Sequence, residues 1–188
     1  MLGEKPILGI IHFAIGGAVH MLRKAVPADI PAIHNIINYY IRETTYNYHT
    51  VEQELSATQA WFAVTNTRYY DLFVLEEKGE IIGYSSYGPF RGKAGYRPTV
   101  EHSVYLLPGH EGKGYGTLLL DAIITGAREK GYWSMVAVID SGNVHSIDFH
   151  LHKGFFLVGE MPHIAEKWGK PLSVTFLQLH LQDISHEG

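Results

Sequence analysis

Val100-Glu101-His102-Ser103-Val104-Tyr105-Leu106-Leu107-Pro108-Gly109-His110-Glu111-Gly112-Lys113-Gly114-Tyr115-Gly116 is the stretch around which the chain is organised. Residues 100–107 predict a strand, 108–116 a turn and 117–130 a helix, with Leu119, Leu120, Ile123, Ile124 and Ala127 spaced as one apolar stripe. A helix start carries several N–H groups with no partner inside the helix. Glycines at 112, 114 and 116 leave the backbone bare at that point. Bare amides and the positive end of a helix dipole favour an anion, so the turn is spaced as a phosphate cradle.

Two common phosphate motifs do not fit. A P-loop needs Ser or Thr directly after Gly-Lys, whereas Gly114 follows Lys113. A dinucleotide fingerprint needs G-x-G-x-x-G and an acidic residue about twenty positions on. Here the glycines read G-x-G-x-G, and the strand expected over 133–139 reaches Asp140 only at its far end.

Working outward, 188 residues at 46% hydrophobic make one domain with room for a core. The formal net charge is −4 and Lys or Arg never run longer than two, which argues against a nucleic-acid partner. There is no cysteine, which removes disulfides, thiolate metal sites and a cysteinyl acyl-enzyme. Metal ligation is not expected, because the His and carboxylate spacings place no ligand set on one face.

Residues 7–19 form an apolar run behind Lys5, in the manner of a signal peptide's hydrophobic region but too short to span a bilayer. Met21 offers an independent start, so 1–20 are read as an upstream extension or cloning remnant, 21–184 as the domain and 185–188 as a tail. A cytoplasmic, membrane-free protein is expected.

From Met21, residues 22–26 predict a strand. Asp29 is placed to cap a helix with Pro31 in its first turn, and Ile30, Ile33, Ile37 and Tyr40 follow at helical spacing. Thr50 and Gln53 are spaced as a capping box for a second helix to about residue 65, with Leu55, Gln59 and Phe62 on one side. Between the helices, 43–49 is a polar, tyrosine-rich loop. Residues 72–76 and 80–87 flank Glu77-Lys78-Gly79 as a hairpin. Residues 89–98 form a loop carrying Arg91, Lys93 and Arg97 beside Phe90 and Tyr96. Beyond the central helix, 133–139 predicts a strand, 143–153 a helix, 155–159 a strand and 173–181 a last strand. The fold class is therefore α+β, with a mixed sheet.

Glu111 to Gly116 resembles the acyl-coenzyme A loop of the GNAT acetyltransferases, a strand followed by Q/R-x-x-G-x-G/A and a helix. Over residues 21–184 the chain is most similar to the phosphinothricin and methionine sulfoximine N-acetyltransferases of that superfamily. The resemblance rests on Tyr96 through Tyr105, Gly112 through Gly116, Ala137-Val138-Ile139-Asp140 with Asn143, and His150 ahead of Lys153-Gly154-Phe155. It implies the GNAT fold, a mixed and mostly antiparallel sheet flanked by helices. It also implies acetyl-coenzyme A as co-substrate, no metal, and a homodimer with Tyr39, Tyr40 and the terminal strands as contact surface.

The resemblance also assigns residues. Glu101 is the base, because an ammonium must lose a proton before it attacks a thioester. His150 stands where many GNAT proteins have a tyrosine, and imidazole can supply a proton to the departing thiolate. His102, turned away from Glu101 by strand alternation, and His152 are read as bystanders. Cofactor contacts fall on Val104, Tyr105 and Leu106, and on Glu111, Gly112, Lys113, Gly114, Tyr115, Gly116 and Thr117. The N–H groups of Tyr105 and Leu106 are expected to face a splayed neighbour strand. Asn143 either bonds the pantetheine arm or caps the following helix. Lys113 either reaches the 3′-phosphate or is solvated. Arg91, Arg97 and Tyr96 are the acceptor residues, an arginine clamping an acid group.

The chain departs from the family pattern in two places. Glu111 replaces the motif's opening Arg or Gln, and Lys167-Trp168-Gly169-Lys170-Pro171-Leu172-Ser173 stands where the branch has aromatic-Gly-Arg-Trp-Leu-Asp. The expected function is transfer of acetyl to the primary amine of a small amino-acid-like acceptor. Protein or polyamine N-acetylation, which would need an extended or acidic groove, is the alternative, together with acyl-coenzyme A binding without turnover.

Overall fold

The computed structural model describes residues 10–15 and 18–183. Its described elements run β1 (Ile11–Ile15), β2 (Ala18–Lys24), α1 (Ile30–Glu43), α2 (Leu55–Thr65), β3 (Leu72–Glu77), β4 (Glu80–Pro89), β5 (Thr99–Leu106), α3 (Tyr115–Glu129), β6 (Ser134–Asp140), α4 (Val144–His152), β7 (Phe156–Lys167) and β8 (Lys170–His180). Eight strands form one sheet in the order β1-β2-β3-β4-β5-β6-β8-β7. Neighbours are antiparallel except β5 and β6, which run parallel.

The apolar pattern explains the layers. Side chains alternate along a strand, so in β3 Leu72 and Val74 face one layer while Phe73 and Leu75 face the other, and all four are buried. Ile33, Ile36, Ile37 and Ile41 of α1, with Phe62 of α2, close the first face. Leu119, Leu120, Ile123 and Ala127 of α3 close the second. Burying each such side chain stabilises the fold by about 1.5–3 kcal/mol. The β3–β4 turn is tight because Lys78 and Gly79 both take positive φ, 52° and 88°, as a two-residue hairpin requires.

Local signals placed several boundaries differently. Part of the stretch read as an extension joins the sheet, since β1 pairs with β2 (Ile11 opposite Leu22) and β2 begins at Ala18 rather than residue 22. Residues 7–9, 16 and 17 of the apolar run, and the 185–188 tail, lie outside the described residues. Asp29 does sit at the N-cap of α1, but its carboxylate faces backwards, accepting from Val26 N (2.8 Å) and pairing with Arg23 (2.6 Å). The expected capping box at Thr50 does not form. Asn38 holds the backbone of Gln53 from both sides (2.9 and 3.0 Å), and α2 starts at Leu55 behind Glu54 instead. The strand expected over 155–159 runs on to Lys167, because β8 offers it a partner from Gln178 back to Lys170, with irregularities at 157–159 and 161–165.

β4 and β5 approach so closely at Gly83 that an added Cβ would lie 2.6 Å from Leu106 Cδ2 and 2.7 Å from the Tyr105 carbonyl oxygen. Gly83→Ala is expected to lower stability by about 1–3 kcal/mol. Scanning calorimetry checks this as a drop of roughly 2–4 °C per kcal/mol.

Candidate functional site

The parallel pairing of β5 with β6 covers only Thr99–Ser134, Val100–Met135 and Glu101–Val136. Beyond it β6 stays with β8 as far as Asp140 opposite Val174, and β5 stays with β4 as far as Leu106 opposite Gly83. The two central strands therefore part, and a cavity of about 590 Å³ opens between them. That volume suits a small-molecule site. Its walls include Val104, Tyr105 and Leu106 of β5, Ala137 to Asp140 of β6, and Phe149 and His150 of α4.

Backbone direction decides which amides face the gap. Leu107 N donates to Ile82 O of β4 at 2.7 Å, and alternate residues of a strand point to opposite sides. Val104 and Leu106 N–H thus face the open side, whereas Tyr105 N–H faces β4. The expectation for Leu106 fits this alternation and that for Tyr105 does not. Tyr40 O–H donates to Leu106 O at 2.8 Å, which makes Tyr40 a wall of the cleft. Burial pushes its hydroxyl up to about 12, which keeps it a donor.

At the mouth of the cleft the turn lies as its glycines demand. Gly112 and Gly114 take φ of 72° and 85°, and Gly114 is the N-cap of α3 with no side-chain cap over the first-turn amides. Glu111, Gly112, Gly114, Gly116 and Thr117 line the cleft. Lys113 and Tyr115 do not. The Tyr115 side chain turns inward, its hydroxyl 2.6 Å from His20 Nε2 and 3.3 Å from Glu77 Oε1, because an aromatic ring at the first position of α3 is claimed by the core. Any cofactor contact at Tyr115 is left to its backbone. Lys113 is exposed. Glu111 folds back on its own loop and accepts from Gly109 N at 2.8 Å.

His150 is buried, and its Nδ1 lies 2.6 Å from the carbonyl of Ser146 one turn earlier. A carbonyl only accepts, so Nδ1 carries the proton and Nε2 carries a lone pair. Nε2 is buried without a protein partner. Burial lowers the pKa of His150 against the opposing pull of the Ser146 carbonyl. His102 stacks on it, with centroids 5.1 Å apart and planes at 28°. Burial, then His150, holds His102 well below the ordinary imidazole range. His102 faces away from Glu101 along the strand, as expected, and lines both the inner cleft and its outer neighbour, as do Ser103 and Tyr105 of the other face. His152 is exposed and bonds Asp148 O instead. Asn143 caps α4, accepting from Ser146 N at 3.2 Å, and also lines the cleft. Its oxygen is committed to the cap, so a pantetheine contact falls to its amide NH₂.

A second cavity of about 420 Å³ adjoins the first and shares Tyr46, His102, Ser103, Tyr105, Val138 and Asp140 with it. Glu101 lines only this outer chamber, and His150 only the inner one. Burial raises the pKa of Glu101, partly offset by the Arg91 guanidinium 3.7 Å away. Arg97 and Tyr96 line neither chamber. They sit on an exposed loop where Tyr96 packs edge-on against Phe90, and Arg91 stacks over the same ring. The outer wall is instead Tyr46, Asn47, Tyr48 and His49. The density of tyrosines in 43–49 was the one signal for these residues in the sequence. Among the described residues no group of three or more His, Asp or Glu is placed to hold a metal ion.

Comparison with known proteins adds the following. Residues 33–155 match the family described as Acetyltransferase (GNAT) family. The chain is 42% identical over 161 residues to an L-methionine sulfoximine/L-methionine sulfone acetyltransferase of Pseudomonas paraeruginosa, covering 85% of this chain and 94% of that protein. It resembles a solved GNAT superfamily phosphinothricin acetyltransferase of Sinorhizobium meliloti in complex with acetyl-coenzyme A, with TM-score 0.84, 32% identity and coverage of 87% and 89%. An N-acetyltransferase structure from Staphylococcus aureus superposes with TM-score 0.84 at 34% identity, covering 87% and 99%.

A side chain at Gly114 would force a left-handed residue at the helix entrance, costing about 1–2 kcal/mol. Gly114→Ala is expected to weaken acetyl-coenzyme A binding roughly 5- to 30-fold by titration calorimetry.

Proposed function

This chain belongs to the GNAT acetyltransferase family, and on that premise we propose that it moves an acetyl group from acetyl-coenzyme A to the primary amine of a small amino-acid-like acceptor, of the methionine sulfoximine or phosphinothricin type, by direct attack in a ternary complex. The observation that carries this reading is the pair of joined chambers, with a carboxylate lining only one and an imidazole lining only the other. A direct transfer needs both reactants present together. With no cysteine in the chain, a thioester relay through the protein has no place.

The residues divide the proton work. Glu101 takes the first proton from the acceptor's ammonium, and its raised pKa brings it closer to the working range of a base. The freed nitrogen attacks the thioester carbonyl carbon, while Val104 and Leu106 N–H face the oxygen on which charge develops. His150, neutral with its lone pair on Nε2, accepts the second proton from the nitrogen and then gives it to the sulfur as the C–S bond breaks. It acts as a shuttle rather than as a standing acid. The net products are the N-acetyl amine, free thiol and one proton passed from Glu101 to solvent.

Arg91 lines neither chamber but lies 3.7 Å from Glu101, which lines the outer one, and is our candidate for an acceptor carboxylate; Arg97 and Tyr96 sit on the same exposed loop. One observation favours a polyamine: the outer chamber is lined by Glu101 and Asp140 and by no Lys or Arg. We also propose a cytoplasmic homodimer, formed over the free edge of β7, where Phe156, Leu157, Val158 and Met161 are exposed at the end of the sheet. Sedimentation equilibrium showing a monomer at micromolar concentration removes the dimer. No described helix is long and apolar enough to cross a membrane.

Thiol release measured with a panel of amino acid analogues and a polyamine tests the acceptor. Turnover is expected with the amino acid analogues, and turnover with the polyamine alone replaces that reading. Glu101→Gln is expected to lower kcat by about 10²–10⁴-fold. Unchanged turnover removes Glu101 from the mechanism. The pH dependence has a definite sign. Glu101 works ionised with its pKa raised by burial and His150 works neutral with its pKa lowered by burial, so protonation of either stops the reaction and activity is lost as pH falls through those two shifted values. Loss of activity on raising the pH from 6.5 to 7.5 contradicts these roles.

A further inference from the structure

Lys167 closes β7 with its side chain wholly buried, 0% exposed. Lys24, Lys130 and Lys153 pair with aspartates, but Lys167 has no carboxylate partner among the described residues. Its Nζ donates to the carbonyls of Thr44 (2.8 Å) and Asn47 (2.6 Å) and lies 4.9 Å from the Trp168 ring centroid. A buried ammonium without a counterion is costly and persists only where other groups answer its charge. Thr44 is the C-cap of α1, so the ammonium sits at the negative end of that helix, with an aromatic face beside it.

The two carbonyls bracket the bend that carries Tyr46. Tyr46 lines both chambers, and Asn47, Tyr48 and His49 line the outer one. Tyr105 of β5 also hydrogen-bonds the Asn47 side chain, and Gln53 Nε2 lies 3.0 Å from His49 Nε2. Tyr48 O–H reaches Ser173 O of β8 at 3.1 Å, which is the second grip from the same hairpin. The hairpin is pinned by the turn Trp168-Gly169, with φ of 54° and 73°, which sets Lys167 opposite Lys170.

We propose that Lys167 is a positioning residue that sets the shape of the acceptor chamber, its ammonium clamping the Thr44–His49 wall against the β7–β8 hairpin. This rests on the reading of the outer chamber as the acceptor site. The segment 167–173, where the chain departs from the family pattern, thereby acts on substrate through the wall rather than by touching it. The glycine turn lines the inner cleft but not the outer chamber, and neither carbonyl held by the ammonium belongs to it.

The test pairs amide exchange with steady-state kinetics on Lys167→Met. Exchange at residues 44–49 is expected to rise about 10-fold or more, with α3 unchanged. KM for the amine is expected to rise about 10-fold, with kcat changed less than about 3-fold and acetyl-coenzyme A affinity within about 2-fold. A merely structural lysine would lower Tm and move these quantities together. If Lys167→Met does not fold, Trp168→Ala removes only the exposed ring over the ammonium, and a rise of about 2- to 5-fold in the same exchange and the same KM is expected. Unchanged exchange at 44–49, or raised exchange with an unchanged amine KM, overturns the proposal. A wild-type enzyme that turns over no amine sinks the acceptor reading itself and takes the chamber-setting role with it.

Discussion

β5 and β6 share three residue pairs and then separate, and everything at the site follows from that separation. A sheet that stayed closed would consume the N–H and C=O groups of Val104 and Leu106 in a ladder. Because the strands part, each keeps its antiparallel neighbour, β4 or β8, and the backbone between them is free to meet a ligand. Neighbouring elements flank the gap. Tyr40 satisfies the Leu106 carbonyl, while α4 stands across the top with Asn143 as its cap.

Two kinds of chemistry meet in the gap because two layers of the fold meet there. α3 presents first-turn amides with no side-chain cap at the inner cleft, and Glu101 of β5 lines the outer chamber. His102 and His150 lie between, both kept neutral by burial, and neutrality matters more than proximity. A charged imidazole could only donate, whereas one with its proton fixed on Nδ1 by the Ser146 carbonyl can accept at Nε2 and then give back. The same low-dielectric surroundings that depress the histidines raise the pKa of Glu101, so burial moves acid and base groups towards one working range.

Residue type alone misjudged side-chain direction at several positions. Tyr115 belongs to the cofactor turn by sequence, yet its ring meets His20 and Glu77 beneath the turn. His102 is off the Glu101 face of its strand, as alternation predicts, yet both of them line the outer chamber. Arg97 and Tyr96 follow one another in a cationic loop that stays in solvent. Tyr46 and Lys167 lie 121 positions apart and act on one wall, a pairing no local pattern announces. Asp29 and Gln53 show the same limit at helix starts, where a distant partner, Arg23 or Asn38, outbids the local cap.

The sequence by itself determined the strand, turn and helix of the phosphate cradle, the alternation of helices and strands, and the presence of a carboxylate beside the cradle strand. Those features depend on backbone freedom at glycine and on apolar spacing, which are local. Only the tertiary structure decided which amides face the gap, which nitrogen of His150 holds the proton, and which loop walls the outer chamber. Each of these depends on where a neighbouring strand departs, or on a carbonyl brought in from another element. Such groups are far away along the chain, and their positions are fixed by packing of the whole sheet.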